Sequence, residues 1–145
     1  MTDLTNFSIV DLVNGIKNKD FTSEEVTKSF IKNAESSDKL NTYITKCFDE
    51  ALVSAKNFDK KNIPKGLLPG IPIAVKDMFC TKDVKTTAGS KILNNFLPTY
   101  ESTVTNKLWL EGAFLLGKLN CDEFAMGSSN ETSFFGNVTN PFGEK

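Results

Sequence analysis

Apolar residues recur at helical spacing through the first 62 residues of the chain. Ser8 precedes the first apolar stripe and is a typical N-cap residue. Thr22 and Glu25 have the spacing of a capping box, which predicts the start of a second helix. A short extended segment at 43–45 precedes a third helix. The three stripes are Ile9, Leu12, Val13 and Ile16; Val26, Phe30 and Ala34; and Phe48, Ala51, Leu52, Ala55 and Phe58. They are typical of packing against neighbouring elements, so we predict an N-terminal helical region over 1–62.

Two short apolar runs predict buried strands after a connection rich in proline and glycine. The runs are IPIAV at 71–75 and AFLL at 113–116, and both are too short for a helix. A short helix is expected near 91–95, and a longer one is expected over 102–111. We expect Gly117 to end the second strand and 117–124 to turn into a short helical piece. The alternation of helices and buried strands predicts an α/β fold.

The composition excludes several kinds of chemistry. The 145 residues include no histidine, and all 17 basic residues are lysines, with a net charge of -1. A Ser-His-Asp triad, a Cys-His pair and a histidine-ligated zinc site are therefore excluded within this sequence. The lack of arginine disfavours bidentate recognition of phosphate or guanine, so we expect no direct nucleic-acid binding. No run of about 18 apolar residues predicts a membrane span, so no membrane association is expected.

Lys76 is the residue whose position is hardest to explain by packing alone. It follows the buried run 70–75 and precedes Asp77, so a charge lies at the edge of an apolar strand. Three interpretations are open: the ammonium reaches water, it pairs with an acid, or it is partly desolvated and acts as a general base. Adjacent strand residues point to opposite faces, which makes Asp77 a poor partner for Lys76.

Other polar positions give weaker signals. Ser128 and Ser129 follow Gly127 and are suited either to ligand contacts or to hydrogen bonding within a loop. Asp122 and Glu123 are adjacent, so they are expected to diverge rather than form an acid/base pair. The three cysteines are far apart and odd in number, which favours reduced thiols in a cytoplasmic protein over a disulfide framework. No glycine-rich phosphate-binding motif is present.

Four segments carry a resemblance to a known family. The segment GIPIAVKD at 70–77 resembles the conserved-lysine segment of the amidase signature family. The segments 87–96 (TAGSKILNNF), 100–105 (YESTVT) and 117–129 (GKLNCDEFAMGSS) are similar, in order, to the glutamine-hydrolysing members that supply ammonia to tRNA-dependent amidotransferases. The resemblance implies a mixed-sheet α/β fold. In that fold, 1–62 is the helical region and 63–145 is the first part of the amidase core.

The resemblance implies a catalytic role for Lys76 in a Ser-cisSer-Lys hydrolase. There the lysine relays a proton from a nucleophilic serine through a second serine in a cis peptide. Such a lysine must be neutral, and we expect the end of the buried strand to desolvate it. Met126, Gly127, Ser128 and Ser129 match a segment that borders the family's substrate pocket. Both catalytic serines are expected beyond residue 141, outside this sequence, so 1–145 alone is expected to be inactive.

The same resemblance implies partners, cofactors and location. Glutamine is the expected substrate, and the released ammonia would serve to convert Glu-tRNA(Gln) to Gln-tRNA(Gln). A tRNA-binding B subunit and a small C subunit are the expected partners, in the cytoplasm. No cofactor or metal is expected in this sequence, whereas ATP and magnesium are expected in the partner subunit. Two alternatives remain: a non-catalytic remnant or interaction module from a split or decayed gene, and another amidase with a different amide substrate.

Overall fold

The computed structural model describes residues 3–61 and 65–143, and it contains four α-helices and three β-strands within those ranges. The helices are α1 (Ile9–Asn18), α2 (Ser23–Ser36), α3 (Phe48–Lys61) and α4 (Thr103–Leu110). The strands are β1 (Tyr43–Lys46), β2 (Pro72–Lys76) and β3 (Phe114–Leu119). Short 3-10 turns lie at Leu4–Asn6, Asp38–Leu40, Lys91–Leu93 and Glu123–Ala125. The predicted α/β class is confirmed.

Both predicted N-terminal caps are present. At the start of α1, Ser8 Oγ accepts from Asp11 N, and the Asp11 carboxylate accepts from Ser8 N. At the start of α2, Glu25 N donates to Thr22 Oγ1 at 3.1 Å while Thr22 N donates to the Glu25 carboxylate at 2.8 Å. Each box satisfies backbone N–H groups that the first helical turn leaves without partners. These two helices therefore begin where the sequence predicts.

The residues divide into two compact units, and the first contains the larger apolar core. This unit comprises Met1–Ser36, Cys47–Ile73 and Lys107–Leu116. Its core consists of the buried residues Leu4, Leu12, Val13, Ile16, Val26 and Ile71, with Phe21, Phe30, Phe58, Leu68 and Ile73 packed against them. Helices α2 and α3 pack together, and the Asp59 carboxylate accepts from the backbone N–H groups of Ser23 and Glu24 at 2.9 Å. Most of the predicted stripe positions are buried, whereas Ile9 is 55% exposed.

The second unit comprises Ser37–Lys46, Ala74–Asn106 and Gly117–Lys145. The strands of the structure form one sheet in the order β1-β3-β2. Strand β1 is antiparallel to β3, with Tyr43 opposite Leu119 and Lys46 opposite Gly117. Asp77 N donates to Leu119 O, and Phe114 N donates to Ile71 O, so β2 and β3 advance in the same direction. The sheet is therefore mixed, as predicted.

Two sequence predictions need correction or restriction. Residues 117–119 are strand rather than part of a helical piece, because Gly117 lies inside β3 and does not end it. A Cβ atom at Gly117 would lie 2.7 Å from the Thr45 carbonyl oxygen and 2.8 Å from the Tyr43 ring, so the glycine permits β1 to approach β3 closely. The predicted boundary between residues 62 and 63 lies outside the described residues. Among those residues, no helix has the length and apolar character needed to cross a membrane.

Candidate active site

A depression of about 430 Å³ lies in the second unit and contains most of the predicted site residues. Its wall is formed by Lys76 at the end of β2, by residues 120–122 after β3, by the loop 127–130, and by Val138 and Asn140. The structure thus brings Lys76 together with Gly127, Ser128 and Ser129 across about fifty residues of sequence. Met126 does not line the depression, and the residue is 84% exposed.

The exposure of Lys76 differs from the sequence-based expectation. Burial alternates along the end of β2, with Val75 and Asp77 buried and Lys76 between them exposed. This alternation confirms that Lys76 and Asp77 point to opposite sides. The expected desolvation of Lys76 is wrong for the described residues, because the strand directs this side chain into an open depression rather than into the sheet's buried face.

The buried lysine of the second unit is Lys118 in β3, which the sequence pattern does not single out. Its side chain and that of Asp77 are both 0% exposed, and Lys118 Nζ lies 3.4 Å from Asp77 Oδ1. Lys118 Nζ also donates to Phe79 O at 2.8 Å and to Thr86 Oγ1 at 2.7 Å. The sequence pattern misses Lys118 because Gly117 resembles the end of a strand, so that Lys118 is predicted to lie in a turn.

Asp77 connects the end of β2 to the segment that follows it. Its Oδ2 accepts from both the backbone N–H and the hydroxyl of Thr87. Its backbone carbonyl accepts from Ala88 N at 3.0 Å, and its backbone N–H donates to Leu119 O at 2.9 Å. A buried carboxylate requires such partners, since an unpaired charge away from water is costly. The residue next to Lys76 is therefore held by β3 on one side and by the 87–88 segment on the other.

Asp122 organises the loop that forms the other wall of the depression. Its carboxylate accepts from the backbone N–H groups of Asn130, Glu131 and Thr132 at 2.9 to 3.2 Å, and from the Thr132 hydroxyl at 3.0 Å. These hydrogen bonds lower the pKa of Asp122 because they favour the charged carboxylate, and the bond from the Asn130 backbone has the largest effect. Gly127 packs so closely on this group that a Cβ atom would lie 2.5 Å from Asp122 Cγ.

Glu123 and Asp122 diverge, as predicted, and serve different segments. The Glu123 carboxylate accepts from Ser90 Oγ at 2.6 Å, whereas Asp122 binds the 130–132 loop. The two carboxylates are therefore structural anchors and not an acid/base pair. Ser129 Oγ donates to the Glu131 carboxylate at 2.6 Å, and Ser128 and Ser129 are both exposed to the depression.

Cys121 lines the depression, but its environment disfavours a thiolate. The residue is 3% exposed, and the pKa of its thiol is raised first by burial and then by the neighbouring Asp77 carboxylate. It is a free cysteine, as are Cys47 and Cys80. Across the ranges 3–61 and 65–143, no three Cys, Asp or Glu side chains are grouped as a metal site requires. The residues suited to acid–base or binding chemistry here are Lys76 and the polar groups of the 127–130 loop.

The fold is that of the amidases, as the comparisons with known proteins show. A model of the amidase family matches residues 25–145, so the chain belongs to the amidase family. Solved structures of this fold are similar to the chain. The enzyme fatty acid amide hydrolase is 28% identical with a TM-score of 0.88, over 96% of this chain and 25% of its own. A bacterial aryl acylamidase of the amidase signature family is 30% identical with a TM-score of 0.82, over 94% and 29%.

Within this family, the chain is similar to one kind of subunit in particular. It is 67% identical to the A subunit of the glutamyl-tRNA(Gln) amidotransferase of Pelagibacter ubique (strain HTCC1062), over 97% of this chain. The same subunit of Zymomonas mobilis subsp. mobilis (strain ATCC 31821 / ZM4 / CP4) is 50% identical over the whole chain. A solved structure of the Thermotoga maritima A subunit has a TM-score of 0.77 at 28% identity, over 97% of this chain and 28% of its own. The chain spans about 29% of the length of the first relative and corresponds to its N-terminal portion.

Proposed function

We propose that the chain is the N-terminal portion of the glutamine-hydrolysing A subunit of a glutamyl-tRNA(Gln) amidotransferase. The observation that supports this most strongly is the 67% identity to the Pelagibacter ubique subunit, because it covers nearly all of the chain, including the residues that line the depression. In the proposed complex, the A subunit releases ammonia from glutamine. The tRNA-binding B subunit, with ATP and magnesium, uses the ammonia to convert Glu-tRNA(Gln) to Gln-tRNA(Gln), and the small C subunit completes the complex. We assign this complex to the cytoplasm.

Lys76 is the proposed general base of the glutaminase reaction. A serine supplied by the rest of the protein attacks the amide carbonyl of glutamine, and its proton passes through a second serine to Lys76. The proton then goes to the leaving nitrogen, so that ammonia departs and an acyl-serine forms, which water hydrolyses to glutamate. The exposure of Lys76 toward the depression leaves its amine accessible to such a serine, and the rest of the proposed subunit supplies the desolvation that keeps the amine neutral. The loop with Gly127, Ser128 and Ser129 is the proposed wall of the substrate pocket, and Met126 is placed next to it.

The role of Lys76 is testable in a chimeric subunit, in which this chain replaces the matching segment of the Pelagibacter ubique A subunit and is produced with the partner subunits. Lys76→Ala should lower glutamine hydrolysis by on the order of 100-fold or more, since general base catalysis contributes about that much. Lys76→Arg should fail similarly, because a guanidinium remains protonated. Lys82→Ala is the matched control, since Lys82 is also exposed but does not line the depression. A Lys76→Arg subunit with near-parental turnover would remove Lys76 from the mechanism.

A second experiment tests whether the reacting serines lie outside these residues. The 145-residue chain alone should release no ammonia from glutamine, because a base without its nucleophile retains almost none of the rate enhancement of the complete unit. Ammonia release is measured for the chain alone and after mixing with the remaining portion of the Pelagibacter ubique subunit. Activity of the chain alone that survives Lys76→Ala would contradict the proposal. Activity that appears only in the mixture would support it.

The alternative of another amidase is favoured by one observation only. Structures of a fatty acid amide hydrolase and an aryl acylamidase resemble the chain as closely in backbone as the Thermotoga maritima A subunit does. The difference in identity, 67% against 28 to 30%, favours the amidotransferase subunit. Hydrolysis rates of the chimeric subunit on glutamine, asparagine, a fatty acid amide and an aryl amide distinguish the two. None of these relatives supports a non-catalytic remnant.

A further inference from the structure

Three backbone hydrogen bonds hold the turn that follows Lys76. Phe79 N donates to Lys76 O at 3.1 Å, which closes the turn. Within it, Asp77 N donates to Leu119 O at 2.9 Å, and Asp77 O accepts from Ala88 N at 3.0 Å. The backbone from which the Lys76 side chain projects is therefore tied to β3 and to the 87–88 segment. Any group that holds this turn therefore constrains the backbone position from which the Lys76 side chain extends.

Lys118 binds the same turn from inside the protein. Its fully buried ammonium donates to the Phe79 carbonyl at 2.8 Å and lies 3.4 Å from the Asp77 carboxylate. It also donates to the Thr86 hydroxyl at 2.7 Å. The ammonium thus makes two hydrogen bonds and one ion pair, and the Phe79 carbonyl and the Asp77 carboxylate both belong to the turn that begins at Lys76. Lys118 thus links the turn to the segment at residue 86 through a single cation.

Stability alone is a weak reason for this arrangement. The desolvation free energy of a buried ion pair cancels most of its electrostatic attraction. Replacing such a pair with apolar residues of similar volume is often neutral or stabilising. A buried cation that donates hydrogen bonds to one carbonyl and one hydroxyl and pairs with one carboxylate does, however, restrict the relative positions of all three. Catalysis depends strongly on such positions, since a displacement of about 1 Å can cost on the order of 100-fold in rate.

We propose that Lys118 is a positioning residue for Lys76: through the Phe79 carbonyl and the Asp77 carboxylate it fixes the turn that aims the Lys76 amine into the depression. This inference rests on the proposed function of Lys76 as a general base. Lys118 itself is fully buried and is not one of the residues that line the depression. Its effect on the reaction is therefore exerted through Lys76.

The test compares Lys118→Met with a destabilising control at another buried position, in the chimeric subunit and its complex. Lys118→Met keeps an unbranched side chain that is one atom shorter and removes the ammonium. Val26→Ala is the control, because Val26 is 0% exposed in the first unit and far in sequence from the depression. Turnover is measured per folded molecule, well below the unfolding temperature of both variants. We expect kcat for glutamine to fall on the order of 10- to 100-fold in Lys118→Met, with KM within about twofold of the parent, and to change little in Val26→Ala.

A second pair of variants covers the case in which Lys118→Met does not fold. Thr86→Val removes one partner of the Lys118 ammonium, whereas Thr86→Ser retains the hydroxyl. Thr86→Val should lower kcat severalfold with KM unchanged, and Thr86→Ser should restore it. Equal kcat in all of these variants and the parent would overturn the proposal.

Combination with Lys76→Ala separates this inference from the proposed function. If Lys118 acts through Lys76, then adding Lys118→Met to Lys76→Ala should not lower the residual rate further, because residues of one catalytic unit are not additive. A further loss equal to that seen in the parent would refute the positioning role while leaving Lys76 as the base. Full activity of Lys76→Ala would instead refute the proposed function, and the role of Lys118 with it.

Discussion

The buried pair of Lys118 and Asp77 should show strong energetic coupling, which a double-mutant cycle can measure. Both side chains are 0% exposed and their charged atoms are 3.4 Å apart. The cycle uses Lys118→Met, Asp77→Asn and the double variant. The side chain introduced by Asp77→Asn keeps an amide oxygen that can accept from Thr87, so the change mainly removes the charge. Each single variant leaves the other charge buried without its counterion.

The magnitude follows from the separation. At an effective dielectric constant of about 20, two unit charges at this distance attract by about 5 kcal/mol. Removal of one member of a buried pair typically costs about 3–5 kcal/mol, because the remaining charge stays desolvated. The double variant should cost clearly less than the two single variants together, and we expect a coupling of about 2–4 kcal/mol.

The assay is native-state hydrogen exchange of the Asp77 and Ala88 amides in the chimeric subunit. These amides donate to Leu119 O and to Asp77 O, so their opening free energy reports on the region around the pair. A local measurement is needed because a large protein does not unfold in one cooperative step. Each variant gives an opening free energy at both amides, from which the coupling is calculated.

The surface pair of Lys46 and Asp38 provides the control cycle. Its charged atoms are closer, at 2.6 Å, but the two side chains are 40% and 64% exposed. Solvent and side-chain entropy should limit this coupling to about 0–1 kcal/mol. If the Lys118–Asp77 coupling is no larger than that of Lys46–Asp38, then burial does not strengthen the pair and the reasoning is refuted.

Three further predictions concern single sites. Gly117→Ala should lower the opening free energy of the neighbouring strand amides by about 1–2 kcal/mol in native-state hydrogen exchange, because its Cβ would lie 2.7 Å from a carbonyl oxygen. Gly143→Ala meets nothing closer than 3.4 Å and should change the opening free energy of its neighbouring amides by less than about 0.5 kcal/mol; equal effects would contradict this. Because the pKa of Asp122 is lowered in the folded protein, its carboxylate contributes its full stabilisation above the ordinary value of 3.8 and loses it as pH falls through the lower folded value. Protection of the 130–132 amides from exchange should therefore decline only in acid, and Asp122→Asn should remove that decline. Iodoacetamide should alkylate Cys80 before Cys121 at mildly alkaline pH, because Cys121 is 3% exposed and the pKa of its thiol is raised. Mass spectrometry measures the order, and the reverse order would refute the argument from burial.

The sequence alone determined the elements whose signals are local. Ser8 with Asp11 and Thr22 with Glu25 start α1 and α2, because a cap is formed by residues three apart in the chain. The apolar run at 71–75 is observed as β2 at Pro72–Lys76, and the fold class follows from the order of the elements. Lys76 stood out for the same reason, since a charge directly after an apolar run is visible in the sequence.

Tertiary structure decided the features that depend on residues far apart in the chain. Gly117 resembles a strand end, and only the approach of β1 to β3 shows that it belongs inside β3. Because the strand continues past Gly117, Lys118 is buried next to Asp77, which lies forty-one residues earlier in the sequence. The tertiary structure also leaves Lys76 exposed in the depression, where the family resemblance implies desolvation at the strand end. Strand pairing brings distant residues together, and whether a charged side chain is buried depends on those partners. The spacing of residues along the chain therefore does not predict which charged side chain is buried.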